Sequence, residues 1–577
     1  MIIKKLQLEG FRNYKNLTIT FEDKNLIMGA NDVGKTNLLY ALRLLFDKSL
    51  SERDLELHDS DFYAYDTTST VRITVFLEKV TEDCLVSAFG GDLKDEKVII
   101  RYINEKESGY RFFIGPTEKL LDEKPGRTYI KYLNMQYVDT NRDLQAFFKR
   151  ERNQILNVSK TLLGEEDSKF DEEKYLEIQN GLNDVNSKVN ELKYVEKALE
   201  SVNNELENMS SRNEGMKIRF VAGQSDAGKM LDNLSLAYLD EDNLLAVGGD
   251  GRNNQVFIST WVAKQNIQKA ADHVTFYAIE EPEAHLHPHQ QRKLSEYILN
   301  QFDEQVFITS HSPQITTRFN PSKIIRLYVD GKTTNAACGG TSEIIKETFA
   351  DFGHRLNIIS AESFFADAIF LVEGTSETIL YSALAKANNI DLDRDNISVL
   401  SVEGVGFKPY IAVCKALEIP FVLRTDNDIF KKNNNQTEFY AGISRAVSIA
   451  QMLDGSEDVI KYWDDNNSKN EWNAGDLSQD NSDFNNEMRK KLKTLGIYLS
   501  DVDLETDLAN SPIQDDLMEF YQVDDNDTLI KEMKKRKAEN ILAFVQSENA
   551  NLQALKDDNI LKPLNVLTGK ITRNETL

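Results

Sequence analysis

Two α/β domains in tandem are predicted: a nucleotide-binding P-loop domain interrupted by a helical insertion, then a domain on a parallel sheet with an acidic edge. Three observations carry the prediction. An apolar strand runs into a glycine-rich loop and then a helix at residues 25–45. A second hydrophobic strand ends in consecutive carboxylates at 273–283, and a third ends in Glu-Gly at 368–374, followed further on by Thr-Asp-Asn-Asp at 425–428. Strands that alternate with helices in this way build parallel sheets, whose ligands gather at the carboxyl ends of the strands.

The length of 577 residues calls for two or three hydrophobic cores. A hydrophobic content of 41% and a charged content of 28% are those of a globular protein. No stretch approaches the roughly 18 apolar residues of a membrane helix, and Met1–Glu9 alternates like a strand, unlike a signal peptide. Cys84, Cys338 and Cys414 form no CxxC pair, so reduced thiols and a cytoplasmic location are expected. The net charge of −26 weighs against a uniformly basic nucleic-acid surface. It leaves room for an acidic site neutralised by divalent metal, or for a basic partner.

Along the chain, Thr70–Leu77 alternates as a half-buried strand. From about 166 to 215 Glu, Asp, Lys and Asn dominate, with Leu182, Val185, Val189, Leu192 and Val195 at helical spacing. That predicts a helical insertion that either dimerises or covers its own domain. The divided first domain then covers 1–165 and 216–350, and the second runs from 366 to 577. The Asp/Asn/Ser-rich stretch 455–487 is expected to be a mobile surface loop with some helix.

Gly29-Ala-Asn-Asp-Val-Gly34-Lys35-Thr36 matches G-x-x-x-x-G-K-[ST] between a strand and a helix, the context in which loop N–H groups wrap phosphate oxygens. Lys35 is expected at the β/γ-phosphates and the Thr36 hydroxyl on Mg²⁺, with Asn31 and Asn37 completing the nucleotide contacts. The strand His273–Ile279 then presents Glu280 to hold Mg²⁺ through water and Glu281 to polarise the attacking water. The next strand, Gln305–Thr309, leads to His311, a candidate partner of the γ-phosphate. Alternating His285, His287 and His289 lack the further ligands of a zinc site, and the adjacent nucleotide motif explains them better.

Together these motifs resemble the ABC ATPase head of the RecF and SMC proteins, and Leu8-Glu-Gly-Phe11-Arg12-Asn13-Tyr14 is similar to that family's first strand pair. By that resemblance Gly248-Gly-Asp250-Gly251-Arg252 stands where a signature sequence closes ATP between two protomers. Gln136 is a candidate Q-loop residue. The segment departs from the usual Ser-Gly-Gly form, and a glycine-rich turn is the competing account.

In the second domain Val372-Glu373-Gly374-Thr-Ser-Glu377, the glycine turn at Gly404–Gly406 and Thr425-Asp426-Asn427-Asp428 set carboxylates at neighbouring strand ends. Oxygen-only ligands suit Mg²⁺ or Mn²⁺. This ordered set resembles the Toprim domain of topoisomerases, primases and the OLD (overcoming lysogenization defect) nucleases. The OLD resemblance implies that Glu505, with Asp503, completes a two-metal site and that Lys537 stabilises charge on the scissile phosphate. Lys534, Lys535 and Arg536 are candidate contacts to the DNA backbone.

An ABC head followed by Toprim in one chain is the OLD architecture, and the fit is to its class-2, Gabija-type anti-phage members. The resemblance implies an endonuclease acting on double-stranded DNA and regulated by ATP. It also implies assembly as dimers or tetramers and a UvrD-like helicase partner. An SMC/RecF-like DNA-binding ATPase without cleavage is the alternative. Strand passage would require a tyrosine module that is not identifiable here, and primer synthesis would favour a zinc domain that three cysteines cannot supply.

Overall fold

A computed structural model describes residues 1–209, 226–231, 234, 238–240, 243–245, 249–268, 273–341, 358–432 and 436–575. The chain forms two compact units. One contains Met1–Tyr137, Val274–Glu283 and Pro288–Leu577, and the other Val138–His273 and Ala284–His287.

The first unit opens with β1 (Ile2–Phe11), β2 (Tyr14–Thr20), β3 (Lys24–Met28), β4 (Thr70–Glu78), β5 (Val98–Glu105), β6 (Gly109–Gly115), β7 (Asp122–Lys124) and β8 (Leu133–Val138). Strands β2-β1-β4-β5-β6-β7 form an antiparallel sheet. After a hairpin in the second unit, β9 (Tyr238–Asp240) and β10 (Asn243–Leu245), come β11 (Val274–Glu280), β12 (Val306–Thr309), β13 (Ile324–Asp330) and β14 (Thr333–Ala336). A second six-stranded sheet runs β14-β13-β3-β12-β11-β8, and β13, β3, β12 and β11 are parallel in it. All five residues of β3 are buried, as a strand covered on both faces requires. One apolar core joins both sheets to the helix Lys35–Phe46.

The second domain of this unit contains β15 (Ala368–Val372), β16 (Ile397–Ser401), β17 (Phe421–Thr425), the three-stranded antiparallel sheet β18 (Ile429–Lys432), β19 (Thr437–Tyr440) and β20 (Glu471–Asn473), and β21 (Ile497–Leu499). Its main sheet has the order β16-β15-β17-β21 with every pair parallel. A separate apolar core packs the helix Thr375–Ala387 and the C-terminal helices onto it. The two domains meet at Arg326 on β13, which is 5% exposed. Its guanidinium donates to the carbonyls of Leu417, Glu418 and Ala366 at 3.2, 3.3 and 3.2 Å.

The second unit contains the helices Leu144–Thr161, Glu165–Glu191, Lys193–Met209 and Asp250–Gln268. The helices Glu165–Glu191 and Lys193–Met209 lie in the stretch expected to be helical over 166–215, whose residues beyond 209 lie outside the described set. One expectation is corrected in extent. Residues 455–487, expected to be a surface loop with some helix, hold the helix Glu457–Asn466, strand β20 and the first half of the helix Gln479–Thr494. Ser478 caps the last of these with a capping box, and Phe484, Met488 and Leu492 recur at a spacing of four on its buried face. The Asn/Asp-rich composition hid that stripe. Among the described residues no helix is long and apolar enough to cross a membrane.

Candidate functional site

The parallel register brings the nucleotide motifs together. Ile27 pairs with Thr309, and Thr309 with Glu280, so the glycine loop, Glu280–Glu281 and Ser310–His311 all leave the sheet at one edge. Gly34 has φ 104° at the start of the Lys35–Phe46 helix, and a Cβ there would sit 2.1 Å from Asn13 Nδ2. Glycine is therefore required on both counts. Lys35 Nζ donates to the carbonyls of Gly29 and Ala30 at 3.1 and 2.8 Å. Burial lowers Lys35 to about 8 against the pull of Glu281, Asp32, Glu280 and Glu283. His311 Nε2 is 3.3 Å from Glu281 Oε1, and burial, then Lys35, lowers its pKa, which favours the neutral ring. Glu281 carries a left-handed φ of 41°, a strain of roughly 1–3 kcal/mol that clusters at functional positions.

At the other edge Leu371 pairs with Leu423 and Thr425 with Leu499, which sets Glu373, Asp426 and Ser500 at adjacent strand ends. Glu373 Oε1 accepts from Asp426 N at 2.9 Å and from the Thr425 hydroxyl. Ser500 Oγ donates to Asp426 Oδ1 at 3.3 Å, and Ser376 Oγ to Glu377 Oε2 at 2.9 Å. Asp503 caps the helix Leu504–Ala509 by accepting from Thr506 N at 2.8 Å, and also pairs with Lys534. Glu505, 1% exposed, accepts from Lys537 Nζ at 2.9 Å, while its Oε1 is buried without a partner.

The electrostatics follow from crowding. Burial, then Glu373 and Glu377, push Asp426 up to about 8, with Lys537 opposing. Burial also raises Glu373 against its hydrogen bonds from Thr425 and Asp426. Burial acts to raise Asp503 too, but Lys534 and Thr506 outweigh it and lower the pKa. An acidic edge whose members hold one another's protons is one that a cation would relieve.

An AAA ATPase domain matches residues 1–174 and 128–316 of this chain, and the Overcoming lysogenization defect protein-like TOPRIM domain matches 364–428. The chain belongs to the AAA ATPase domain family and carries an OLD-like Toprim domain. It is 26% identical to Endonuclease GajA of Bacillus cereus (strain VD045) over 573 residues, covering 95% of each chain. It is 23% identical to the OLD nuclease of Thermus scotoductus (strain ATCC 700910 / SA-01) over 450 residues, covering 74% of this chain and 82% of that one. It is likewise 23% identical to the Old nuclease of Escherichia phage P2 over 450 residues, covering 70% and 73%. These likenesses support membership of the OLD family.

Within the OLD-like Toprim edge, Glu373, Glu377, Asp426, Asp503 and Glu505 lie on adjoining strand ends and the helices that follow them, and Lys537 reaches Glu505 from the helix Lys537–Val545. Asp428 points to Arg445, with its Oδ2 3.6 Å from Arg445 Nη2. Among the described residues no three acidic, His or Cys side chains stand in a ready-made metal-binding arrangement. Here Arg445, Lys534 and Lys537 are the cations beside the carboxylates. The donor set nevertheless fits a hard divalent ion: all its ligand atoms are oxygens, Glu505 Oε1 is orphaned, and burial with the neighbouring carboxylates pushes Asp426 up to about 8.

Several of the expected contact residues have partners within the chain. Lys534 is tied to Asp503, while exposed Lys535 and Arg536 pair with Glu532 and Glu539 three residues away. Asn37 spends both ends of its amide on Arg12 and Asn13 at 2.7 Å each, which holds it to the first strand pair. Asn31 and Thr36 are exposed at the loop.

In the second unit Asp250 starts a helix and Arg252 is exposed. A Cβ on Gly251 would meet His285 O at 2.4 Å, so a packing need explains that glycine. Gly248 lies outside the described residues. Gln136 is half-buried in β8, and His289 Nδ1 lies 2.8 Å from Arg292 Nη2.

Sequence reasoning missed Thr425 as a carboxylate holder, Ser500, Arg445 and Glu283. Glu283 accepts from Ser310 Oγ at 2.6 Å and His311 N at 2.8 Å and so positions the histidine. Its place in Glu-Glu-Pro-Glu was a signal. Arg445 had none, because it lies on a helix that only the tertiary fold returns to the site.

Proposed function

We propose that this protein is a divalent-metal-dependent DNA endonuclease whose cleavage is regulated by ATP, in the manner of Gabija-type anti-phage nucleases. The observation that carries the reading is the convergence of Glu373, Glu377, Asp426 and Glu505, with Lys537, on one edge of a parallel sheet. Glu373, Glu377, Asp426, Asp428, Asp503 and Glu505 would hold one or two Mg²⁺ or Mn²⁺ ions, which supply an activated water and charge stabilisation for phosphodiester hydrolysis. Thr425 and Asp426 N fix Glu373, Ser500 fixes Asp426, and Lys537, paired with Glu505, would offer a positive charge to the scissile phosphate.

At the first edge Gly29, Gly34, Lys35 and Thr36 would bind ATP with Mg²⁺, Glu280 would support the ion, and Glu281 with neutral His311 would act at the γ-phosphate. Whether Asp250, Gly251 and Arg252 complete a second protomer's site belongs to the same proposal. The exposed apolar residues of the helix Glu165–Glu191 support a homo-oligomer. The acidic surface suits a basic face on a helicase partner.

The test is supercoiled plasmid incubated with Mg²⁺ or Mn²⁺, with and without ATP, beside Glu373→Ala. Metal-dependent nicks or breaks that vanish in the variant are expected. Absence of cleavage on every substrate, with the helicase partner added, would leave an SMC/RecF-like DNA-binding ATPase.

A further inference from the structure

The helix Ala441–Ala450 returns from the β18–β19 hairpin to the Toprim edge, with Ala441 N donating to Asp428 O at 2.8 Å. Gly442 allows the approach, since a Cβ there would lie 2.4 Å from Asp426 O. One turn on, Arg445 Nη2 donates to Asp426 O at 2.8 Å. The same nitrogen is 3.5 Å from Glu373 Oε1, 3.6 Å from Asp428 Oδ2 and 3.5 Å from Thr425 Oγ1. Arg445 Nε is buried without a partner.

This is unlike the structural arginines of the same unit. Arg326 divides its donors among three carbonyls, and Arg424 is spent on Ser500 and Asp507. Arg445 instead crowds one nitrogen among the ends of two strands and leaves part of its fork idle. The contacts to Glu373 and Asp428 are longer than charge-assisted hydrogen bonds of about 2.7–2.9 Å, as expected of a group held there mainly by charge.

We propose that Arg445 is a resident cation that competes with the divalent metal for Glu373 and Asp428, and that it turns to a DNA phosphate when metal enters. The inference rests on the reading of this edge as a metal site. A guanidinium and a divalent ion compete for the same carboxylate oxygens, because like charges a few ångströms apart repel and each weakens the other's hold there. The planar fork that fits carboxylates also fits a phosphodiester. Metal expels the guanidinium from the acidic edge, and DNA accepts it. Each ligand therefore tightens the binding of the other, by the same factor. Without metal, its contacts are to carboxylates, the Thr425 hydroxyl and main chain.

The test is a Mn²⁺ titration of the full-length protein, read by the paramagnetic resonance of free Mn²⁺, with and without a short phosphorothioate duplex. Without DNA, Arg445→Gln is expected to bind Mn²⁺ at least about fivefold more tightly than wild type, and the duplex no longer to tighten it. Arg445→Lys, which keeps the charge, is expected to stay near wild type. Arg445→Met gives the same reading should the glutamine variant melt early. Equal or weaker Mn²⁺ binding by the neutral variants would overturn the proposal while leaving the metal site intact. Unchanged Mn²⁺ binding in Glu373→Gln would remove the metal site itself, and both readings with it.

Discussion

At the scale of single residues, Asp426 concentrates the consequences of the fold. In the unfolded chain its carboxyl ionises near its ordinary value of 3.8, whereas in the folded, metal-free protein it holds its proton to about 8. Between those values the folded state carries the extra proton, so this group's contribution to stability falls as pH rises from about 4 to about 8. Asp426→Asn mimics the protonated acid. At pH 7.5 without metal, the variant is expected to melt roughly 2–4 °C higher than wild type by calorimetry, as about 1 kcal/mol gives in a large domain. It is also expected to lose cleavage entirely. A lower melting temperature would show that the carboxylate is not under repulsion. Wild-type Mg²⁺ affinity is expected to fall as pH drops below about 8, because the ion must displace that proton.

At the scale of elements, parallel pairing makes both edges. In β15, β17 and β21 a one-residue slip would turn Glu373 or Asp426 away from its neighbour, and the buried faces forbid the slip. The helix Ala441–Ala450 is set as tightly, by Gly442 against Asp426 and Asn427. Gly442→Ala is expected to destabilise the protein by about 1–3 kcal/mol in urea unfolding, as overpacking does. It is also expected to lower cleavage through displaced Arg445 and Asp426, and an unchanged midpoint and rate would refute the tight fit. The helix Gln479–Thr494, which begins in the stretch expected to be a loop with some helix, shows how composition understates order. Its polar residues are those of a loop, but Phe484, Met488 and Leu492 fix one face in the core.

At the scale of the whole molecule, the first unit contains both functional edges, while the second contains a helix with no buried residue among the described ones. Glu165–Glu191 has 27 residues and none buried, and Phe170 and Leu176 are 59% and 63% exposed. A helix of that length with exposed apolar residues costs solubility unless another surface takes them. Phe170→Glu with Leu176→Glu is expected to reduce the mass in light scattering to that of a single chain. A wild-type protein already monomeric at micromolar concentration would sink the expectation.

What the sequence determined by itself was local. The glycine loop, the strands that end in Glu280, His311, Glu373 and Asp426, and the order of an ATPase before a Toprim domain are written in contiguous residues, because a strand–turn–helix needs particular side chains at fixed offsets. Tertiary structure alone decided which side chains face one another across the strand ends. Arg445 among the carboxylates, Lys534 on Asp503, Asn37 on Arg12 and Asn13, and Glu283 beneath His311 are all partnerships between distant segments. Charge and hydrogen-bond satisfaction choose such partners only once the backbone has brought them within a few ångströms, and no periodicity in the chain encodes that meeting.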